Sequence, residues 1–188
     1  MTDTLDAVLD HAWARLLVGA RGRVDPFHQG VLANLAGEGP EARYAVLRAV
    51  DPDTGSVAFH TDRRSPKVAQ LQADARVAWC FFGHGEQLRL AGDVTLHLDD
   101  AEADAAWAAM GRLARRTYAV PLVPGLAIDD PALAFPGPDA ESADARANFV
   151  LARIHLTRLD WLSLAARGHR RAGFVRSGDG WDGRWLAP

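Results

Sequence analysis

Lysine is almost absent from this chain: of the 21 lysine and arginine side chains, Lys67 alone is a lysine. A bias that strong follows base composition more readily than function, so the one retained ammonium is informative. Cysteine is as scarce. Cys80 has no second thiol to pair with, which excludes an internal disulfide, and its place in Val77-Ala-Trp-Cys-Phe-Phe82 predicts a buried, inert thiol in a reducing compartment. No apolar run approaches the ~18–20 residues of a membrane span, and the N-terminus reads as free of a signal peptide, so a cytoplasmic protein is expected. Excess positive charge is missing too. A net charge of −3 gives no global attraction to nucleic acid or to an anionic membrane.

Several catalytic signatures are lacking. Gly83-His-Gly85 fails as a dinucleotide fingerprint, because Gln87 and Leu88 stand where the third glycine is needed. There is no Walker loop and no G-x-S-x-G elbow. The seven histidines (11, 28, 60, 84, 97, 155 and 169) are dispersed, without a metal-ligand spacing. A hydrolase or a zinc enzyme therefore has little support.

What is present is the composition of a soluble globular domain, 48% hydrophobic and 24% charged, long enough for one core over residues 1–188. Leu5, Val8, Leu9, Ala12, Trp13, Leu16 and Leu17 repeat at helical spacing, predicting a helix from Asp3 to about Ala20; with its connector it occupies residues 1–27. The period then becomes that of strands, at Val31–Leu35, Arg43–Val50 and Ser56–Thr61. A short helix follows from Pro66 to about Ala73, then strands at Arg76–Phe82 and Gln87–Leu98, where Gly92 marks a bulge or a close backbone approach. One helix is expected from Asp99 to about Tyr118. Residues 119–147 carry five prolines and no clean period, as a long functional or disordered loop would. Strand signal returns over 148–164, and a hairpin from Gly173 to Leu186 closes the chain. Six or seven mostly antiparallel strands with flanking helices suggest a mainly β (α+β) small barrel.

Lys67 stands in Thr61-Asp-Arg-Arg-Ser65-Pro-Lys67, just past a predicted strand end. Ser65 before proline reads as a helix N-cap, which places Lys67 in the first turn. A compact ammonium beside the free N–H groups and positive dipole end of a helix suits a phosphate; an ordinary surface lysine reads the segment equally well. Other groups are scattered at strand ends: Arg43 and Arg48 at the two ends of one strand and facing opposite ways, His60-Thr61, Gln87, Trp161, and Arg167-Gly-His-Arg-Arg171. Taken singly these are solvated strand termini, a core tryptophan and a solvated arginine run.

Taken together, their order is more specific. Arg43-x-x-Val46-Leu-Arg48, Phe59-His-Thr61, Ser65-x-Lys67, Gln87-x-Arg-x-x-Gly92, Trp161-x5-Arg167-x-His169-x-Arg171 and the terminal Trp185-Leu-Ala-Pro188 resemble the pyridoxamine 5'-phosphate oxidase family over about residues 28–188. The resemblance implies an FMN-binding split β-barrel that works as a homodimer, with flavin at the subunit interface. It implies oxidation of pyridoxamine or pyridoxine 5'-phosphate, with hydride passing to flavin N5 and on to O₂. Arg43 and Lys67, helped by Ser65, would hold the FMN phosphate. Val46, Arg48, His60 and Thr61 would run along the isoalloxazine and ribityl chain, and Gln87 would bond a ring edge. Trp161 and Arg171 would close the site from the partner subunit, and Arg167 and His169 would be the catalytic pair on the substrate side.

The chain also departs from that pattern. Arg48 stands where the family has lysine, and Pro66 where an arginine precedes the phosphate lysine. The tyrosine, arginine and serine that hold the substrate phosphate after Gly92 have no clean counterparts. With Pro121-Leu-Val-Pro-Gly125, this makes the chain resemble a divergent flavin-binding branch. A flavin reductase or oxidase for another small anionic substrate, or a non-catalytic FMN-binding protein, are the alternative readings.

Overall fold

The computed structural model describes residues 4–135 and 143–188. Among them are nine strands and five α-helices. Helix α1 (Leu5–Arg21) is capped by the Thr4 hydroxyl, which accepts from the Ala7 N–H. Val8, Ala12, Trp13 and Leu16 form its buried stripe. Strands β1 (Gln29–Ala36) and β2 (Gly39–Val46) make a hairpin, followed by β3 (Ala49–Asp51) and β4 (Ser56–Asp62). Helix α2 (Pro66–Ala73) leads into β5 (Arg76–Gly83) and β6 (Glu86–His97). Helices α3 (Ala101–Ala109), α4 (Arg112–Arg116) and α5 (Ala143–Ala147) precede β7 (Phe149–Ser163), β8 (Arg170–Ser177) and β9 (Gly180–Leu186).

All pairings are antiparallel, in the order β2-β1-β5-β6-β7-β4-β3, with β8 on β7 and β9 on β8. β2 and β3 stand at opposite ends of that path, yet only Leu47 and Arg48 join them. The sheet must therefore curl until its ends meet. At the junction the backbone changes partner: the Leu47 N–H donates to His28 and the Arg48 N–H to Ala58. β7 takes two partners in turn along one edge. Its first half pairs with β4 through Phe149–His155, and its second half pairs with β8 through Arg158–Ser163.

Three sequence expectations need correction. Nine strands replace six or seven, chiefly because the segment 43–50 is two strands: Leu47 turns fully inward and breaks the alternation. Arg48 consequently lies outside β2 rather than at its far end. The helix expected over 99–118 is broken at Met110–Gly111, where both residues are extended, and Thr117–Ala119 is a 3-10 turn. Packing wins over propensity here, because the break lets Trp107 and Tyr118 both reach Phe149, with ring centroids 5.4 and 5.3 Å away. The proline-rich segment contains a 3-10 turn at Pro131–Ala134 and ends in α5; its residues 136–142 lie outside the described residues. Gly92 does sit at a bulge in the β6–β7 register.

The main core fills the barrel, from Leu32 and Trp79 through Phe59, Leu90 and Ile154 to the stripe of α1. A second cluster of Ala58, Ala103, Tyr118, Ala145, Phe149 and Leu151 lies on the outer side of β4 and β7, beneath α3. Cys80 is half-buried rather than buried, and burial raises its thiol pKa, which keeps it protonated and unreactive. Among the described residues no helix is long and apolar enough to cross a membrane.

Candidate functional site

The turn between β4 and α2 is built by Asp62. Its carboxylate accepts from the Arg64 N–H at 2.8 Å and from the Arg64 guanidinium at 2.8 and 3.0 Å, folding the chain back so that Ser65 caps α2. Ser65 is buried, but its hydroxyl does not bond a helix N–H. It accepts instead from Lys67 Nζ at 2.7 Å, and Thr61 Oγ1 is 3.3 Å from the same ammonium. The first turn of α2 is thus left without the side-chain acceptor that an N-cap supplies.

Arg43 reaches the same place from β2. Its guanidinium bonds Asn34 and pairs with Glu41 at 2.6 Å. Asn34 in turn donates to Gln70 of α2 at 2.9 Å, and Gln70 donates to Glu41 at 3.1 Å. The network ties β1, β2 and α2 into one rigid cradle. Lys67 has its pKa lowered, first by burial and then by Arg43, with Asp62 and Glu41 opposing. A second cation, Arg43, is held close to this desolvated ammonium, an arrangement that an entering dianion would relieve. The residues therefore fit a phosphate group: two cations, two hydroxyls and an uncapped helix start. Asn34, Glu41 and Gln70 were not foreseen. A signal existed, since Asn34 is the polar residue within an apolar strand and Gln70 lies one helical turn after Lys67.

His60 and Thr61 do not act together. As neighbours on a strand they face opposite ways: Thr61 turns to Lys67, while His60 turns to the α3 side and meets the Phe149 ring edge-on at 4.9 Å. Burial, then the nearby Arg48, pulls the His60 pKa down to about 4, and its Nδ1 is buried without a partner. His60, Arg48, Leu151 and Arg153 line a cavity of about 660 Å³ whose other wall is α3 and α4. Val46, half-buried, ends β2 between the cradle and this cavity in sequence.

The remaining expected residues gather elsewhere. Gln87 on β6 and Arg171 on β8 flank Leu162 of β7. Arg171 is bound to Asp160 at 2.8 Å. Trp161 is 1% exposed, a core residue with His11 against its edge and Arg170 over its ring at 5.6 Å. Arg167 and His169 are exposed in the β7–β8 connection, and neither makes a hydrogen bond or ion pair among the described residues. Thr61 pairs with Val150 at one end of β7, whereas Arg171 and Gln87 pair with Leu162 near the other. Twelve residues of strand separate them, roughly 40 Å. Gln87 thus belongs with Arg171, not with Lys67.

Comparison with known proteins identifies the family. A family described as pyridoxamine 5'-phosphate oxidase, FMN-binding domain, matches residues 10–98. The pyridoxine/pyridoxamine 5'-phosphate oxidase of Anaeromyxobacter dehalogenans (strain 2CP-C) is 32% identical over 162 residues, covering 79% of this chain and 78% of that one. The chain belongs to the pyridoxamine 5'-phosphate oxidase family. Among solved structures, a pyridoxamine 5'-phosphate oxidase-related, FMN-binding protein from Nostoc punctiforme PCC 73102 superimposes with a TM-score of 0.77 at 29% identity, covering 95% of this chain and 96% of that one. PhzG from Burkholderia lata 383, solved with tetrahydrophenazine-1-carboxylic acid, shares the fold with a TM-score of 0.71 at 24% identity, over 97% and 92% of the two chains. The family's split barrel is the architecture described above.

Proposed function

We propose that this chain binds FMN and works, as a homodimer, as an FMN-dependent oxidoreductase for a small anionic substrate. The observation that carries the reading is the cradle of Arg43, Thr61, Ser65 and Lys67, with its paired cations and uncapped helix start. Bound FMN would supply the redox chemistry, taking up hydride at N5 and passing electrons on to O₂. The protein's part is to bind, orient and exclude water. Arg43 and Lys67 neutralise the phosphate, while the Asn34–Gln70–Glu41 network fixes Arg43. Arg48 and His60 face the substrate side, His60 as a neutral imidazole at physiological pH.

The separation along β7 supports assembly as a dimer. One flavin mononucleotide is shorter than roughly 40 Å of strand, so Lys67 and Arg171 of a single chain do not share one cofactor. Arg171, Gln87, Arg167 and His169 would instead serve the cofactor held by the partner's cradle. Trp161 is too deeply buried to stack on a flavin and would support Arg170 from beneath. Arg167 and His169, exposed and unengaged, are the pair proposed to orient the substrate.

Titrating FMN into the protein and following flavin fluorescence tests this. Lys67→Met removes one charge-assisted contact and is expected to weaken binding about 10- to 100-fold. Unchanged affinity in that variant would refute the phosphate assignment.

A further inference from the structure

One loop and one groove of this chain are left uncovered, and their chemistry matches. The loop is the segment 121–135, in which Val123, Leu126, Leu133 and Phe135 are 47–70% exposed. An apolar patch of that kind on a soluble protein marks a contact surface. The loop's only charges are Asp129 and Asp130, both exposed. Asp130 caps the Pro131–Ala134 turn, and Asp129 makes no hydrogen bond or ion pair among the described residues. The base of the loop is tied to the cradle. Arg64, held in the cradle's turn by Asp62, donates to the Val120 carbonyl at 3.0 Å.

The groove, about 460 Å³, crosses the sheet from β1 to β9. Its floor runs from Ala33 and Ala78 through Ala91 to Val175 and Leu186. On their strands these residues alternate with Leu32, Trp79, Leu90 and Phe174 of the core, so the groove lies on the outer face of the sheet. Four charged side chains line it: Arg89, Arg158, Asp160 and Arg184. Asp160 is engaged by Arg89 at 3.3 Å and by Arg171 at 2.8 Å. Arg158 and Arg184 are exposed and make no hydrogen bond or ion pair among the described residues. An apolar trough with free positive charge thus faces solvent, as does an apolar loop with free negative charge. Within one chain they stand apart. The loop hangs from the turn after Asp62, which pairs with Phe149 at the start of β7, whereas Asp160 lies near the end of β7.

We infer that the groove receives the 121–135 loop of a second copy, with the apolar side chains on its floor and Asp129 and Asp130 among its arginines. The inference rests on the dimeric flavin reading and names the contact that completes its site. Arg64 holds the loop to the cradle, and Asp160 holds Arg171 beside the groove. A seated loop therefore brings the Lys67 end of one chain to the Arg171 end of the other. Twofold symmetry makes the exchange reciprocal.

Cross-linking between single-cysteine proteins tests this. In a Cys80→Ala background, Ala127→Cys puts a thiol on the loop and Ala78→Cys puts one in the groove, both at exposed positions. The two proteins are unfolded together, refolded and treated with a bismaleimide, with and without FMN. The mixture is expected to give a covalent dimer containing one chain of each kind, and neither protein alone should form one. A dimer by sedimentation that does not cross-link in the mixture overturns the inference. So does a monomer, or a cross-link that FMN abolishes by drawing the loop over its own cradle. Charge reversal reads the same contact without a cross-linker. Arg158→Glu with Arg184→Glu should raise the dimer's dissociation constant about tenfold or more, and Asp129→Arg added to that pair should recover part of the loss. Indifference to the reversal, or no recovery, is equally fatal. Cross-linked dimers that take no FMN sink the flavin reading alone; FMN-binding dimers without the cross-link sink the loop contact alone.

Discussion

His60 is the residue whose environment departs furthest from what its sequence neighbours suggest. Removed from water and faced by Arg48, its imidazole titrates at about 4 against an ordinary value of 6.5. The sign of the consequence follows from proton counting. Between those two values the unfolded chain binds more protons at this site than the folded one, so stability is lost as pH falls from about 6.5 through 4. The contribution is fully present at neutral pH and amounts to at most about 3 kcal/mol. Urea denaturation of the wild type and of His60→Leu at pH 7.5, 5.5 and 4 isolates it: the wild type's stability relative to the variant should fall by up to that amount. A pH-independent difference would mean that folding leaves the imidazole pKa unshifted. Lys67 obeys the same physics with a different outcome: burial and then Arg43 lower its pKa, and an anion bound beside the two cations would reverse that.

At the scale of elements, Gly92 shows how a single position sets a strand's course. β6 shifts register against β7 between Ala91 and Gly92, and a Cβ at Gly92 would lie 2.1 Å from the His155 carbonyl oxygen. That neighbour is backbone and cannot swing aside, so Gly92→Ala is expected to destabilise by about 3 kcal/mol or more. Gly37→Ala, where nothing lies within 4 Å of the added Cβ, serves as the control and should change urea stability by no more than about 0.5 kcal/mol. Equal effects at the two sites would contradict the close approach. This glycine was legible in the sequence as a bulge, as were α1, the start of α2 after Ser65 and the final hairpin, because each is encoded by local periodicity or turn chemistry; the Ser65 side-chain cap was not, since its hydroxyl turns to Lys67 instead. The break at Leu47 was not legible. It depends on the barrel closing, which brings His28 and Ala58 to the same two N–H groups. Nor was the interruption at Gly111, which answers to the distant Phe149. The cradle was half legible: Lys67 and Ser65 carry a local signature, while Asn34 and Glu41 enter it only through the pairing of β1 with β2.

At the scale of the whole molecule, the long β7 decides what one chain can do alone. Thr61 and its neighbour Lys67 lie at the Val150 end, and Arg171 lies at the Leu162 end. On the proposed reading, a cofactor touched by both sets sits between two copies, and the twofold symmetry of a dimer would make two equal sites, each with Lys67 from one chain and Arg171 from the other. Mixing distinguishes this from a site within one chain. Lys67→Met and Arg171→Ala proteins should each bind FMN poorly as homodimers. Unfolded together and refolded at equal concentration, half of the dimers carry one copy of each. In these, one site has both substitutions and the other has neither. The mixture should therefore recover tight FMN binding at about one quarter of the sites found in the wild type. If each chain held its own FMN, every site in the mixture would still lack one residue and no recovery would occur, so the FMN stoichiometry reads the assembly without knowledge of the substrate.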